Sequence, residues 1–418
     1  MPTDSDVSVL EPTIATPPTG GPPSRRPTAT SLRLPSVDAL RGLVMIIMAL
    51  DHTRDFFNAS AMVFQPEDLS RTTAALFLTR WVTHICAPVF SFTAGLGAFF
   101  WLSHGRTPSQ LSGFLVKRGF WLMLIDLTVM RFGLTFSMTK GVLILNVLWV
   151  LGLSMIVLAL FVRLPIKWLA AGSIAVIALH NLADSINAAQ FGSFAWVWNI
   201  LHQQGLFSVA GALVVVAYPL IPWPAVMALG FCVGKILVLP VPERRRLLTF
   251  LGLGTIAAFL IIRGINLYGD PQPWSTQFPG MTVLSFLRCT KYPPSLDFLL
   301  MTLGPAFLLL AWFDRIPFSR NNPLIVFGRV PFFYFVVHFY LIHLLTFPVA
   351  LWHYGRAAFL LQPMPSLGGP ADLYPPNFGY SLPVVYAVWV AVLLLMYPVC
   401  RWFADLKRRR KDWWLSYL

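Results

Sequence analysis

Charges set into an otherwise apolar helix constrain this chain more than any other feature. The stretch 34–59 reads LPSVDALRGLVMIIMALDHTRDFFNA. Pro35 and Ser36 precede the apolar run and Asp38 falls in the first turn, which are helix-start signals. No charge occurs from Gly42 to Leu50, and then Asp51, His52, Arg54 and Asp55 arrive together. At ~1.5 Å per residue, 36–57 covers roughly 30 Å, enough for one bilayer crossing. Steps of three and four connect Asp38, Arg41, Met45, Met48, His52 and Asp55, so one stripe carries a charged pair at its start and a histidine near its end. Arg41 and His52 stand roughly 16 Å apart on that stripe. A charge inside a membrane helix costs at least ~2.5 kcal/mol unless it faces protein or water, so this stripe has to look into a helix bundle or a cavity.

The rest of the chain supplies that bundle. Of 418 residues, 56% are hydrophobic and only 11% charged, and the mean hydropathy is +0.68. Soluble domains carry about 25% charged residues, so the reading is an all-α, polytopic integral membrane protein. Lys and Arg outnumber Asp and Glu by 31 to 17, but the basic residues sit in short loops between apolar spans. The positive-inside rule accounts for them, and no nucleic-acid partner is implied. Cys86, Cys232, Cys289 and Cys400 are scattered without paired spacing, which indicates neither a metal site nor a disulfide framework.

Residues 1–33 are rich in Pro, Thr and Ser, with Arg25, Arg26 and Arg33 late. They are expected to form a disordered cytoplasmic segment without a cleavable signal. A helical membrane domain follows over 34–402, and 403–418 reads as a basic cytoplasmic tail. The expected spans are 36–57, 74–102, 115–136, 142–162, 166–181, 221–242, 247–267, 296–313, 324–350 and 382–400. That makes about ten crossings with both termini cytoplasmic, and the main Lys/Arg clusters fall on one side. The region 182–218 holds an apolar run, 206–217, too short to cross alone and read as re-entrant or paired with the next helix. An eleventh crossing there is the alternative.

Several spans carry further polar groups. His84 lies about a third of the way along the second span, and His338 and His343 lie in the ninth, pointing to different sides of their helix. Asp126 sits in the third span with Arg131, a basic group with which it could pair. His52 is the residue best suited to proton transfer, because imidazole titrates nearest neutral pH. Asp55, three residues on, shares its face and suits an orienting carboxylate better than the adjacent Asp51.

The segment SVDALRGLVMIIMALDHTRDFF resembles the first membrane helix of heparan-alpha-glucosaminide N-acetyltransferase-like bacterial membrane proteins. These belong to a wider group of transmembrane acyltransferases that modify surface sugars. YPLIPWPAVMALGFCVG (218–234), TKYPPSLDFLLMTLGP (290–305), FGRVPFFYFVVHFYLIH (327–343) and the terminal WWLSYL extend the resemblance over nearly all the chain after residue 34. In related sugar O-acyltransferases a D-x-L-R-G motif precedes the catalytic histidine, which stands about eleven residues after the arginine. Asp38, Leu40, Arg41, Gly42 and His52 are similar to that pattern. The lysosomal members look different, with asparagine where this chain has His52 and an active histidine in the following loop. Here 60–73 contains no histidine.

The resemblance implies acyl-CoA, acetyl-CoA in the first instance, as co-substrate, with no metal. It implies an inner-membrane protein that passes an acetyl or acyl group, directly or through a histidine relay, to the hydroxyl or amine of a glycan or lipid-linked sugar outside. His52, with Asp55 or Asp51, would carry the chemistry. Arg41 with Asp38, and Lys117, Arg118 and Arg329 near the cytoplasmic face, would meet the donor phosphates, since no Walker or Rossmann glycine pattern is present. Lys291, on the outer side, would meet an anionic acceptor or a lipid headgroup, and His84, His338 and His343 would line the site. The rival expectation is a small-molecule or proton-coupled transporter in which Arg41, His52, His84 and Asp126 form a polar pathway.

Overall fold

The computed structural model describes residues 34–136, 141–278, 280–410, 412 and 415. The expected disordered segment 1–33 and most of the terminal WWLSYL lie outside the described residues. Among the described residues there are fifteen α-helices: α1 Pro35–Phe57, α2 Ala74–Val82, α3 Cys86–Ser103, α4 Pro108–Ile125, α5 Arg131–Thr135, α6 Val147–Phe161, α7 Ile166–Leu179, α8 Ala195–Leu201, α9 Trp223–Leu237, α10 Val241–Ile265, α11 Met281–Leu287, α12 Leu296–Phe313, α13 Pro323–Arg329, α14 Pro331–Tyr354 and α15 Leu382–Arg409. Among the described residues, six helical stretches are long and apolar enough to cross a membrane: Ala74–Ser103, Ile166–Ala183, Val241–Ile265, Leu296–Phe313, Pro331–Tyr354 and Leu382–Arg409. Val147–Phe161 and Trp223–Leu237 are shorter apolar helices.

Local chemistry explains most boundaries. Pro35 occupies the first turn of α1, where its missing N–H costs nothing, and Asp38 answers the positive end of the helix dipole. Ser295 caps α12 by accepting from the Phe298 N–H. A capping box of Thr107 and Gln110 starts α4. Between α4 and α5 the chain makes a π-turn over Asp126–Met130. Between α2 and α3 a single tighter turn, Thr83–Ile85, interrupts the second expected span.

Four expectations are corrected. Residues 142–145 do not begin a membrane helix; they form strand β1, Val142–Leu145. The apolar run 206–217 is a hairpin of β2, Gly205–Val209, and β3, Ala212–Val216, and β1 pairs with β3 in parallel. Val, Ile and Phe are as apolar as helix-forming residues but prefer a pleated surface, and Ala210 and Gly211 both take the positive φ of a two-residue hairpin loop. The chain is therefore mainly helical with a three-stranded sheet, not all-α. The ninth expected span is broken as well. Val330 sits at φ −130°, ψ 48° because the following Pro331 excludes it from helical geometry, so α13 and α14 are separate helices.

Helix α1 is the buried centre, packed by α13, α14, α15, α12 and α3. The Trp389 indole of α15 donates to the Ile46 carbonyl. By contrast α7, α10 and α15 leave large apolar side chains such as Phe250, Ile261 and Leu394 exposed, as lipid-facing helices do. Helices α1 and α13 cross in close backbone contact. A Cβ at Gly42 would stand 1.8 Å from the Leu324 carbonyl oxygen, and one at Gly328 would stand 1.7 Å from that of Asp38. Membrane helices use glycine in this way to bring backbones together, since lipid supplies no hydrophobic drive between them.

That contact generates a prediction. Gly42→Ala or Gly328→Ala must force two backbones apart, and the expected loss is at least about 3 kcal/mol, read as a lower Tm and poor recovery of monodisperse protein in detergent. Gly113→Ala on α4 meets nothing within 4 Å and is expected to leave the Tm unchanged or slightly raised.

Candidate active site

Two cavities meet along α1. The smaller, about 70 Å³, takes Met48, Asp51 and His52 from α1, with Asp126, Tyr218 and Lys291 around it. The larger, about 320 Å³, takes Arg41 and Met45 from α1, with Trp101, Phe114, Arg118, Arg329 and Lys407. Phe90, Val147 and Phe335 line both. The two are therefore neighbours, and along α1 the division falls between Met45 and Met48. The charged stripe of α1 thus borders two spaces in succession.

Around the smaller chamber the charges are paired. Asp51 accepts from Arg80 through one oxygen and from Arg54, at 3.0 Å, through the other. Arg54 also donates to Asp55 at 2.6 Å. Arg80 reaches on to Glu67 at 2.9 Å, and the His84 Nε2 lies 3.3 Å from the same oxygen. Burial alone would raise the Glu67 carboxyl, but Arg80 and His84 beside it hold it well below the usual carboxylate range. Its stabilising contribution is therefore present above the ordinary carboxylate range and is lost as pH falls through the depressed value.

The imidazoles differ in environment. His52 Nδ1 lies 3.7 Å from Asp55 Oδ2, too far for a hydrogen bond. The His52 side chain keeps 21% of its surface accessible, whereas His338 is wholly buried. The two rings are 5.3 Å apart, and Phe339 packs 4.8 Å from His52. His338 Nδ1 donates to the Tyr334 carbonyl at 2.8 Å. A carbonyl only accepts, so Nδ1 carries the proton and Nε2 presents a lone pair. Among the described residues, neither His338 Nε2 nor His52 Nδ1 has a hydrogen-bond partner.

The other residues singled out in the sequence separate into groups. Arg118 and Arg329 join Arg41 in the larger cavity, and Lys291 joins His52 in the smaller. Lys291 is presented by a loop tied to Asp270, which accepts from the Thr290 N–H at 2.7 Å and the Ser295 hydroxyl at 2.6 Å. Its ammonium lies 5.2 Å from the Tyr292 ring, whose hydroxyl is 3.3 Å from that of Tyr218. Burial would raise the Tyr292 phenol, but Lys291 and Arg80 bring it below its ordinary value. Asp38 is buried where α1 crosses α13. His84 turns its ring to Phe298 and Glu67. His343 lies one turn beyond the chamber, 4.9 Å from Phe56 and stacked on Phe136, with its nitrogens at the Gly133 and Leu360 carbonyls.

Sequence reasoning gave no role to Arg54, Arg80, Glu67 or Tyr218. An arginine inside an apolar span was the available signal for Arg80, but its partner Asp51 lies 29 residues away. Asp126 accepts the Asn146 and Trp149 backbone N–H groups at 2.9 and 3.0 Å, at the N-terminus of α6. That position suits a carboxylate.

Arg80 is the shared cation of Asp51 and Glu67, so Arg80→Met is expected to cost about 3 kcal/mol by leaving buried carboxylates unpaired. A Tm equal to wild type would show that the pairing does not hold the chamber together.

The catalytic-domain family of heparan-alpha-glucosaminide N-acetyltransferase matches residues 33–268. The match takes in α1 to α10, hence Arg41, Asp51, His52, Arg80, Arg118 and Asp126; Lys291, Arg329 and His338 lie beyond it. No curated protein matches the chain. With well over half of its length inside that match and apolar helices suited to a bilayer around a charged central helix, the chain belongs to the heparan-alpha-glucosaminide N-acetyltransferase catalytic family of membrane acetyltransferases.

Proposed function

We propose that the chain is a bacterial inner-membrane acyltransferase. It takes an acetyl, or another acyl group, from acyl-CoA at the Arg41 end of α1 and passes it to a sugar hydroxyl or amine at the His52 end. The observation that carries this reading is the pair of abutting cavities on one helix, the larger cationic and aromatic, the smaller containing an imidazole beside a carboxylate.

In this reading α1, α2–α3, α4–α5, α6, α7, α9, α10, α12, α13–α14 and α15 are ten crossings with both termini cytoplasmic. The clusters around Arg118, Arg163, Arg244, Arg320 and Arg408 then share one side, as the positive-inside rule requires. Arg41, Arg118 and Arg329 face the donor from that side, and Lys291 belongs to the outer face, where the acceptor arrives.

His52 removes the proton from the acceptor hydroxyl or amine as that atom attacks the thioester carbonyl. The new ester or amide bond forms as the carbon–sulfur bond breaks, and the CoA thiolate takes up a proton. A proton on His52 Nδ1 would face Asp55, leaving Nε2 as the base. The 3.7 Å separation is of the kind that tightens when substrate closes a site. Phe90, Phe335 and Phe339 keep water from the thioester, which would otherwise hydrolyse.

His52→Ala in proteoliposomes is expected to lower acetyl transfer by roughly 10² to 10⁴ while the Kd for acetyl-CoA stays at the wild-type value. Normal transfer by this variant would remove His52 from the chemistry. Arg41→Ala is expected to raise that Kd about tenfold with a smaller effect on turnover of bound donor. An unchanged Kd would put the donor elsewhere. Mass spectrometry of envelope glycans from a deletion strain, compared with its parent, is expected to reveal the missing acyl group and so the acceptor.

A further inference from the structure

A third cavity, about 190 Å³, lies beside the donor cavity and is lined by Arg320, Arg329, Arg401 and Arg408, with Asp405 as its acidic member. Its walls come from the α12–α13 loop, α13 and α15, and the Tyr397 hydroxyl fastens α15 to that loop by donating to the Asn321 carbonyl at 2.8 Å. Arg408 also lies 3.2 Å from Asp405. Topological loop charges need only fall on one side of the membrane. Here four guanidiniums from three elements converge on one hollow with one carboxylate among them. Arginine, unlike lysine, presents a planar fork that grips phosphate oxygens in pairs.

We infer that this four-arginine cavity is a phosphate-binding subsite, filled by the nucleotide phosphates of the acyl donor whose uncharged arm lies in the Arg41 cavity. The inference rests on the donor reading proposed above. An acyl-CoA carries its phosphates at one end of a long uncharged arm, so its site has to set several cations at one end of an apolar passage. Arg329 lines both cavities, and the adjacent residues Lys407 and Arg408 of α15 open one into each. The phosphates of an anionic lipid headgroup offer the same chemistry, and the test separates the two sources.

Binding of acetyl-CoA and of the phosphate-free S-acetylpantetheine is measured on the full chain in phosphatidylcholine nanodiscs. Arg401 and Arg408 are exposed, so the double variant Arg401→Gln, Arg408→Gln is compatible with folding. Its affinity for acetyl-CoA is expected to fall by about a hundredfold, roughly tenfold for each charge-assisted contact, while its affinity for S-acetylpantetheine matches wild type. The control Arg409→Gln, Arg410→Gln removes equal charge outside the cavity and is expected to bind acetyl-CoA as wild type does. An unchanged acetyl-CoA Kd in the cavity variant, or an equal loss in the control, overturns the subsite. A difference that appears only when phosphatidylglycerol is added assigns the arginines to lipid and overturns the nucleotide assignment. Wild-type protein that binds neither thioester removes the donor reading itself, an outcome distinct from these.

Discussion

Arg80 and Arg54 between them neutralise the carboxylates that end α1, and the site depends on that pairing. Among the described residues, these two guanidiniums donate to Asp51, Asp55 and Glu67. His84 meets Glu67 at 3.3 Å, His52 lies 3.7 Å from Asp55, and Lys291 lines the same chamber as Asp51. Arg54 holds one Asp55 oxygen at 2.6 Å, and the other oxygen is the one that faces His52. Under the acyltransferase reading, charge placement and proton transfer are the same problem, met by one turn of helix and one arginine from its neighbour.

The backbone contact between α1 and α13 couples that turn to the opposite end of the helix. Because Gly42 and Gly328 allow the two backbones to touch, Arg41 and Arg329 come to the same cavity from two elements. The separation between Arg41 and His52 is then set by helix rise alone, roughly 16 Å, and cannot vary without unwinding α1. Met45 and Met48 fill the interval, one bordering each cavity. An apolar interval of this kind excludes water and raises the strength of every electrostatic interaction on either side of it.

The stripe from Asp38 to Asp55 could be read from residue spacing, because a helix maps steps of three and four onto one face whatever surrounds it. Hydropathy likewise found the apolar helices that line the bundle. It failed at 142–145 and 206–217, where a Val- and Leu-rich strand scores like a piece of span and only the turn at Ala210 and Gly211 separates the two outcomes. The ninth expected span differs for another reason: Pro331 lies early in an apolar run and ends the helix before it. Pairings across the chain were beyond reach. Arg80 with Asp51, His338 with His52, and Asp126 with the start of α6 are tertiary facts, and a single sequence carries no record of which distant residues approach.

The shape of the two cavities bears on the choice between a catalyst and a carrier. A carrier needs a path that its whole solute can traverse, opened alternately to each side, and such paths are commonly built from interrupted helices related by repeats. Here Phe90, Val147 and Phe335 line both cavities, and the space at the Arg41 end is about 320 Å³ against about 70 Å³ at the His52 end. A large polar solute that fitted the first would have to shed its contacts with Arg41 and Arg118 and squeeze past aromatic rings into a much smaller chamber. A two-carbon acyl group attached to a donor that stays behind faces no such demand. Its carbonyl alone has to reach the neighbourhood of His52, and the arginines that hold the donor then work for the transfer instead of against it. Under the acyltransferase reading, the narrowing between Met45 and Met48 is the feature that lets a small group through while its carrier remains anchored.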